Sequence, residues 1–394
     1  MTRRRDFLMN TYPEPPVTFV RGEGTVLWDE DGRRYLDFLS GLAVTSLGHS
    51  HPAVAEAVAS QSRTLVHVSN LYGTTVAPEL AATLDRLLGG PRGKVFFCNS
   101  GAEANECAIK LARRWAGASG LGPGVRGPYM VLSAYGSFHG RTLATLHATG
   151  HPQKHEAFQP LPEGFRHVAW CDVDALDAAV DPSVVAAVLL EVVQGEGGVH
   201  PATSEYLRAA RRICNERGVL LMIDEVQTGM ARTGRWFAFQ HHGIEPDVVT
   251  MAKALGNGVP IGACWAREEV ADAFQPGDHA TTFGGQPLAA AAARAVLEVM
   301  EEVDAPGRAE AAGARLVEGL RSLPGVAGVR GLGLLLAAQL EEDGSAKEAA
   351  VKALRAGLVV NPVTDSALRL APPLLVSNEE IDEALTILGK VLAS

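Results

Sequence analysis

Short apolar runs alternate with amphipathic stretches between about residues 94 and 266, and this alternation limits the possible folds most strongly. The runs are apolar at consecutive positions, which is typical of strands buried on both faces in a parallel sheet. The stretches between them, such as 104–116 and 204–218, repeat apolar residues at helical spacing. The pattern predicts an α/β fold, a mostly parallel sheet flanked by helices, with its ligand at the carboxyl ends of the strands. The predicted strands cover 94–98, 129–133, 184–193, 218–224, 247–252 and 261–266.

The length of 394 residues exceeds one minimal domain, so we expect two lobes. After Gly285 the composition changes to an Ala-rich helix and then a shorter α/β portion. We predict an N-terminal segment, 1–50, that contributes to a small domain. A large ligand-binding domain follows over 51–285, and the rest of the small domain covers 286–394.

Charge and composition exclude several classes of function. The net charge of -10 repels a polyanion, which argues against nucleic acid. Five dispersed cysteines without a C-x-x-C pair predict a reduced, cytoplasmic protein without a zinc site. No run approaches the ~18 apolar residues of a membrane span. The pairs His49/His51 and His241/His242 lack metal-ligand spacing, so we expect no metal.

The segment Asn99, Ser100, Gly101, Ala102 follows a predicted buried strand and opens a helix. Free N–H groups at a helix start, with a serine hydroxyl and a glycine that permits close approach, suit a phosphate group. Taken alone, the segment is more typical of an ordinary N-cap.

Asp224 ends the strand GVLLMID and is followed by Glu225. A carboxylate at the end of a buried strand needs a cation or several donors. Four apolar residues before Asp-Glu also describe the magnesium-binding strand of P-loop ATPases. That alternative requires a G-x-x-x-x-G-K-[ST] loop, which the sequence lacks.

Lys253 stands between an apolar strand and a Gly-rich turn. Burial disfavours an ammonium and lowers its pKa, which makes the amine a nucleophile able to form a Schiff base. The alternative is a lysine whose amine reaches solvent at a strand end. A phosphate site, a buried carboxylate and such a lysine together match pyridoxal 5'-phosphate (PLP). Phe138 can stack on its ring, and Arg141 can bind a substrate carboxylate.

Six segments in order, NSGAEANE, FHGRT, LLEVVQGEGG, IDEVQTGMARTG, MAKALGNGVPIG and TTFGGQPLA, resemble the class III aminotransferases. The resemblance implies the type I PLP-dependent transferase fold and an obligatory homodimer. DFLSGLAVTSLGHSHP (37–52) and HVSNLYGT (67–74) are similar to the acetylornithine aminotransferase branch, which implies a role in arginine or lysine biosynthesis.

The resemblance implies a role for each matching residue. Lys253 binds the cofactor and transfers protons, while Asp224 pairs with the ring nitrogen. Val226 and Phe138 pack on the ring, and Gln227 approaches its hydroxyl. The phosphate contacts are Ser100, Gly101, Ala102 and, from the second subunit, Thr282.

The substrate residues also follow from the resemblance. Arg141 takes the distant carboxylate, Arg369 takes the close one, and Glu196 pairs with Arg369 when no close carboxylate is present. The alternative for Glu196 is a plain loop carboxylate. Leu42 and Tyr12 are placed beside the substrate.

The implied reaction moves the terminal amine of N-acetylornithine, or a close acylated diamino acid, to 2-oxoglutarate, giving a semialdehyde and glutamate. Ornithine aminotransferases usually carry Tyr where this chain has Leu42, and an aliphatic wall favours an acylated amine. Carrier-protein-linked lysine, ornithine, succinylornithine and γ-aminobutyrate stay open as substrates. A non-catalytic or P-loop-like nucleotide-binding protein is the alternative of a different class.

Overall fold

A computed structural model describes residues 7–117, 127–341 and 344–393. At its centre lies a seven-stranded sheet. In spatial order its strands are β4 (Gly93–Cys98), β12 (Gly262–Arg267), β11 (Val248–Met251), β10 (Leu220–Asp224), β7 (Val185–Glu191), β5 (Met130–Ala134) and β6 (Phe165–Val168). All six predicted strands are present. β12 runs antiparallel to β11 and β4, a direction that an apolar run does not encode, and β6 was not predicted.

Helices cover the central sheet on both faces, which explains its continuous apolar runs. Along β7, Ala187 and Leu189 join one apolar cluster, while Val188 and Leu190 join another. The first cluster includes one face of α4, and the second includes one face of α7. The helices are α1 (Ser40–Ala43), α2 (Pro52–Thr64), α3 (Val76–Leu88), α4 (Gly101–Gly117), α5 (Leu143–Ala148), α6 (Val173–Ala179), α7 (Ser204–Arg217), α8 (Glu268–Ala271), α9 (Pro287–Glu302), α10 (Ala305–Arg321), α11 (Ala346–Arg355) and α12 (Asn378–Leu392).

Three smaller sheets complete the structure. The first joins both ends of the chain and consists of β1 (Phe19–Glu23), β2 (Val26–Asp29), β3 (Arg34–Asp37) and β15 (Leu358–Val359). The second consists of β13 (Val326–Leu332), β14 (Leu335–Leu340), β17 (Ala367–Leu370) and β16 (Asn361–Thr364). A two-stranded ribbon pairs β8 (Val193–Gln194) with β9 (His200–Pro201).

The long helix α9 packs against α2 and α3. The domain limits at residues 50 and 285 stay a prediction. Within the described ranges, no helix has the length and apolar character to cross a membrane.

Candidate active site

A cavity of about 400 Å³ opens at the carboxyl ends of the parallel strands. β4, β5, β7, β10 and β11 end at this edge because β12 is the strand that runs the other way. The cavity brings together residues that are far apart in the sequence. The predicted site residues that line it are Ser100, Gly101, Ala102, Phe138, Arg141, Glu196, Asp224, Val226, Gln227 and Lys253.

Asp224 is buried and held by three donors. Its Oδ2 accepts hydrogen bonds from Asn105 Nδ2 and from His139 Nδ1, both at 2.8 Å, and its Oδ1 accepts one from the Val226 N–H at 3.0 Å. Thr250 fixes the Asn105 amide, since its hydroxyl donates to Asn105 Oδ1 at 2.8 Å. The network fixes the carboxylate at the cavity wall. Asn105 and His139 were missed from the sequence because their role depends on contacts with a distant strand.

Lys253 faces the cavity from a strained backbone position, with φ of 45°. Within the described part of the chain, its amine has no hydrogen-bond or ion-pair partner. Burial lowers its pKa, while the charge of Glu196 raises it in part. A lysine held in this way keeps its amine available for chemistry.

Arg369 is buried on β17 and contacts the cavity through Glu196. Its Nη1 donates to Glu196 Oε1 at 2.5 Å and to Gln227 Oε1 at 3.3 Å, while its Nη2 donates to Asn361 Oδ1 at 2.8 Å. Burial acts to raise the pKa of Glu196, but the charge and hydrogen bond of Arg369 outweigh it and lower the pKa. Glu196 and Arg369 therefore form an ion pair at the rim of the site.

A second positive region lies around Phe138. The guanidinium carbon of Arg141 is 5.6 Å from the centre of the Phe138 ring, and Lys154 Nζ is 5.7 Å from it. Burial and the charge of Arg141 lower the pKa of Lys154. Arg141 is exposed and has no carboxylate partner among the residues that the structure describes. These two cations can attract a carboxylate at this end of the cavity, and the sequence did not single out Lys154.

Glu191 is a further cavity residue that the sequence did not reveal as functional. Its Oε2 accepts a hydrogen bond from the Phe138 N–H at 3.0 Å, and its Oε1 accepts a longer one of 3.4 Å from the Gly195 N–H. Burial and the negative charge of Asp224 raise its pKa. Its position inside the apolar run LLEVV was the available signal, since a carboxylate in a buried strand requires donors.

Four predicted residues do not line the cavity. Arg369 reaches it only through Glu196 and Gln227. Thr282 lies in a separate groove. Leu42 is 36% exposed, with φ of 71°, and Val44 lines the cavity near this position. Tyr12 is 72% exposed.

The residues present fit PLP. The first N–H groups of α4, at Gly101 and Ala102, are those that a helix leaves without acceptors inside itself, and they suit a phosphate. Asp224 suits a protonated ring nitrogen, and the Lys253 amine at the cavity suits an aldehyde. Gly101 allows Val226 to approach closely, because a Cβ at Gly101 would lie 2.6 Å from Val226 Cγ1.

The chain is similar to known proteins over nearly its whole length. The family model described as aminotransferase class-III matches residues 8–392. An acetylornithine aminotransferase from Caldanaerobacter subterraneus subsp. tengcongensis is 48% identical over 100% of this chain and 99% of its own. An acetylornithine aminotransferase from Gloeobacter violaceus is 50% identical over 98% of this chain and 96% of its own.

The solved structure of ornithine aminotransferase from Toxoplasma gondii superposes with a TM-score of 0.93, at 34% identity over 99% of this chain and 93% of that one. The structure of acetylornithine aminotransferase from Elizabethkingia anophelis superposes with a TM-score of 0.85, at 32% identity over 98% of this chain and 96% of that one. These proteins share the type I PLP-dependent transferase fold predicted from the sequence. The chain belongs to the class III aminotransferase family.

Proposed function

We propose that this enzyme transfers the terminal amino group of N-acetylornithine to 2-oxoglutarate, with PLP as its cofactor. The observation that carries the proposal is the cavity in which Lys253 meets Asp224 and the start of α4, with the Glu196–Arg369 pair at its rim. The choice of substrate is supported by relatives named acetylornithine aminotransferase, which are 44–50% identical over nearly the whole chain.

The cofactor residues hold and polarise PLP. Bound PLP supplies an electron sink that stabilises negative charge at the substrate carbon. The N–H groups of Gly101 and Ala102, with the Ser100 hydroxyl, hold its phosphate. Asp224 suits a proton on the ring nitrogen, because three hydrogen-bond donors hold its carboxylate in place at the cavity wall. The proposal also keeps Phe138 and Val226 against the ring, and Gln227 near its hydroxyl.

Lys253 moves the proton in both half-reactions. Because burial lowers its pKa, its amine is more readily present as the free base that accepts a proton from the substrate carbon. The resulting ammonium would then donate that proton to the carbon atom of PLP that carries the transferred nitrogen. Lys253 lines the cavity from a backbone position with positive φ, a strained conformation that the surrounding structure maintains.

The substrate residues must handle two arrangements of carboxylates. N-acetylornithine brings its terminal amine to the cofactor with its carboxylate far away, where Arg141 and Lys154 lie. 2-Oxoglutarate presents one carboxylate close to the reacting carbon and one far from it. Arg369 takes the close carboxylate after Glu196 moves away, and Glu196 neutralises Arg369 in the other half-reaction.

Cofactor chemistry can be tested directly. We expect the purified protein with PLP to be yellow, and borohydride reduction followed by peptide mapping to place the cofactor on Lys253. A folded preparation that stays colourless with added PLP would exclude the proposed reaction. The Lys253→Ala variant is the matched control and should retain no label.

Substrate choice requires half-reaction kinetics on one preparation. We expect N-acetylornithine to react with the highest specificity constant, ahead of ornithine, carrier-linked lysine, succinylornithine and γ-aminobutyrate. Val44 gives the cavity an apolar wall, which cannot hydrogen-bond the free α-amino group of ornithine. The names of the similar proteins support N-acetylornithine over the other three substrates. A higher specificity constant for ornithine would reject the acylated substrate while leaving the PLP chemistry intact.

We also propose a cytoplasmic homodimer with shared sites. Its support is an exposed apolar surface formed by Leu71, Tyr72 and Phe283, which are 85%, 74% and 65% exposed, beside the groove that contains Thr282. A second copy that covers this surface can bring its Thr282 to the phosphate. Sedimentation should give twice the chain mass of 41.5 kDa, and Phe283→Asp should shift it towards the monomer and lower activity. The free cysteines fit a reducing compartment.

A further inference from the structure

Arg232 is a buried cation that the proposed reaction does not use. Its side chain is fully enclosed, with 0% exposure, and it follows two residues with positive φ, Met230 at 54° and Ala231 at 67°. Burying a guanidinium has a large desolvation cost, and a carboxylate partner normally offsets it. Arg232 has no such partner in the described part of the chain. Burial lowers its pKa to about 9.

The hydrogen-bond partners of Arg232 are neutral oxygens from three separate segments. Its Nη2 donates to Ser46 Oγ at 2.8 Å, and its Nη1 donates to the carbonyl oxygens of Leu334, at 3.3 Å, and Pro372. The Leu334 N–H also donates to the Arg232 carbonyl at 3.0 Å. One planar group therefore ties an early segment and two late segments to the loop after β10.

The two late segments are the ends of the strand pair that carries Arg369. Leu334 immediately precedes β14, and Pro372 lies two residues after β17. β14 and β17 pair with Ala337 opposite Arg369. Arg232 is thus bonded where β14 begins and where β17 has just ended, three residues from Arg369.

Backbone packing at this junction leaves little room for movement. A Cβ at Gly333 would lie 2.5 Å from the carbonyl carbon of Thr233 and 2.8 Å from the Arg232 carbonyl oxygen. Ser46 extends the junction, because its carbonyl accepts the Leu374 N–H at 2.7 Å. Val44, two residues before Ser46, lines the cavity. The junction therefore connects the substrate wall to the strand of Arg369.

We infer that Arg232 is a positioning residue that holds Arg369 at the distance from the cavity that the close carboxylate of 2-oxoglutarate requires. This inference rests on the role of Arg369 in the proposed function. A planar group with several donors suits the task, because three acceptors in different directions fix its position, whereas a lysine amine offers one point of attachment. N-acetylornithine brings no close carboxylate, so its binding does not depend on this distance.

The test compares the dissociation constants of both substrates in single-turnover half-reactions. Arg232→Met should raise the constant for 2-oxoglutarate about tenfold, since small displacements of a binding group have large effects, and leave that for N-acetylornithine within about twofold. Arg232→Lys should recover part of the loss. Ser46→Ala, which removes one acceptor, should give a smaller change with the same selectivity.

Arg217→Met is the matched control. Arg217 also donates to a backbone carbonyl, that of Val180, at 2.6 Å, but joins only α7 to the end of α6. It should change neither dissociation constant. If Arg232→Met weakens the binding of both substrates equally, or of neither, the inference is overturned. If Arg232→Met does not fold, the test uses Arg232→Lys and Ser46→Ala instead. If neither variant weakens 2-oxoglutarate binding more than N-acetylornithine binding, the inference is overturned.

Arg369→Met separates this inference from the proposed function. If Arg369→Met weakens the binding of 2-oxoglutarate selectively while the Arg232 variants do not, only the inference fails. If Arg369→Met shows no selective loss, the proposed role of Arg369 fails, and the inference fails with it.

Discussion

At the scale of single residues, the carboxylate of Asp224 is the group most open to test. Asn105 and His139 hold the carboxylate through Oδ2, and Asp224→Asn replaces that acceptor with a neutral amide. We expect kcat to fall by at least about 100-fold, because an amide cannot keep a proton on the ring nitrogen. Stopped-flow absorbance of each half-reaction measures the loss.

Glu225→Gln is the matched control for that change. Glu225 is the adjacent buried carboxylate, but it accepts hydrogen bonds from Thr228 and from the Phe239 N–H, and it does not line the cavity. We expect kcat to stay within about threefold of the wild type, a range typical of changes outside the reacting centre. Similar losses in both variants would mean that charge near β10 supports folding rather than the ring nitrogen.

Glu196 gives a prediction that separates the two half-reactions. In Glu196→Ala, Arg369 loses its carboxylate partner and can attract the carboxylate of N-acetylornithine to the wrong end of the cavity. The specificity constant of the first half-reaction should fall about tenfold, and that of the second should change less than about threefold. Equal losses would contradict the proposed switch.

At the scale of elements, apolar runs predicted where strands lie but not how they run. β7 and β10 were predictable because residues buried on both faces leave a continuous apolar signal. The antiparallel direction of β12 and the presence of β6, with its half-exposed pattern, depend on pairing between distant segments. The site followed the same division. Asp224, at the end of an apolar strand, was predicted, whereas Asn105 and His139 act through contacts that only folding creates. Glu191 also ends a strand and was missed, although its place in an apolar run was a usable signal.

The helix α4 offers two glycines for a matched test. A Cβ at Gly101 would meet Val226 Cγ1 at 2.6 Å, whereas a Cβ at Gly117 would meet nothing within 4 Å. Gly101→Ala should displace the helix start from Val226 and raise the PLP dissociation constant about tenfold. At a fixed excess of PLP, the cofactor then adds about 1.4 kcal/mol less to the free energy of unfolding. Gly117→Ala should leave the constant within about twofold.

Thermal unfolding with and without PLP measures this difference. Gly117→Ala should unfold at or slightly above the wild-type temperature, because alanine favours a helix more than glycine does. Equal PLP affinities in both glycine variants would show that the close approach of Gly101 to Val226 does not position the phosphate site.

At the scale of the whole molecule, the two ends of the chain meet in one sheet, where β15 pairs with β3 in parallel. The sequence indicated a second lobe after Gly285 from a change in composition, but composition does not specify which strands pair. The positive charge at the site is local and differs in sign from the net charge of the chain. The chain carries a net charge of -10, yet the cavity and its rim contain Lys253, Arg141 and Arg369. A dicarboxylate therefore depends on these few cations.

The free energy of unfolding at acid pH is a property of the whole molecule, and we expect a cluster of histidines to affect it. The rings of His147, His155 and His167 lie 5.6–6.5 Å apart, and His167 belongs to β6. Burial lowers the pKa of His167 to about 4, and the charges of His155 and His147 act in the same direction. The unfolded chain, with a pKa near 6.5, then binds more protons than the folded protein between about pH 6.5 and 4.

The free energy of unfolding should therefore decrease as the pH falls through that window. His167→Gln removes the titrating group and keeps a donor that can reach the Ala148 carbonyl, which His167 Nε2 contacts at 3.3 Å. We expect urea unfolding of the variant to depend less steeply on pH between 6.5 and 4, with stability at pH 8 close to that of the wild type. Identical slopes would show that His167 is protonated as readily in the folded protein as in the unfolded chain.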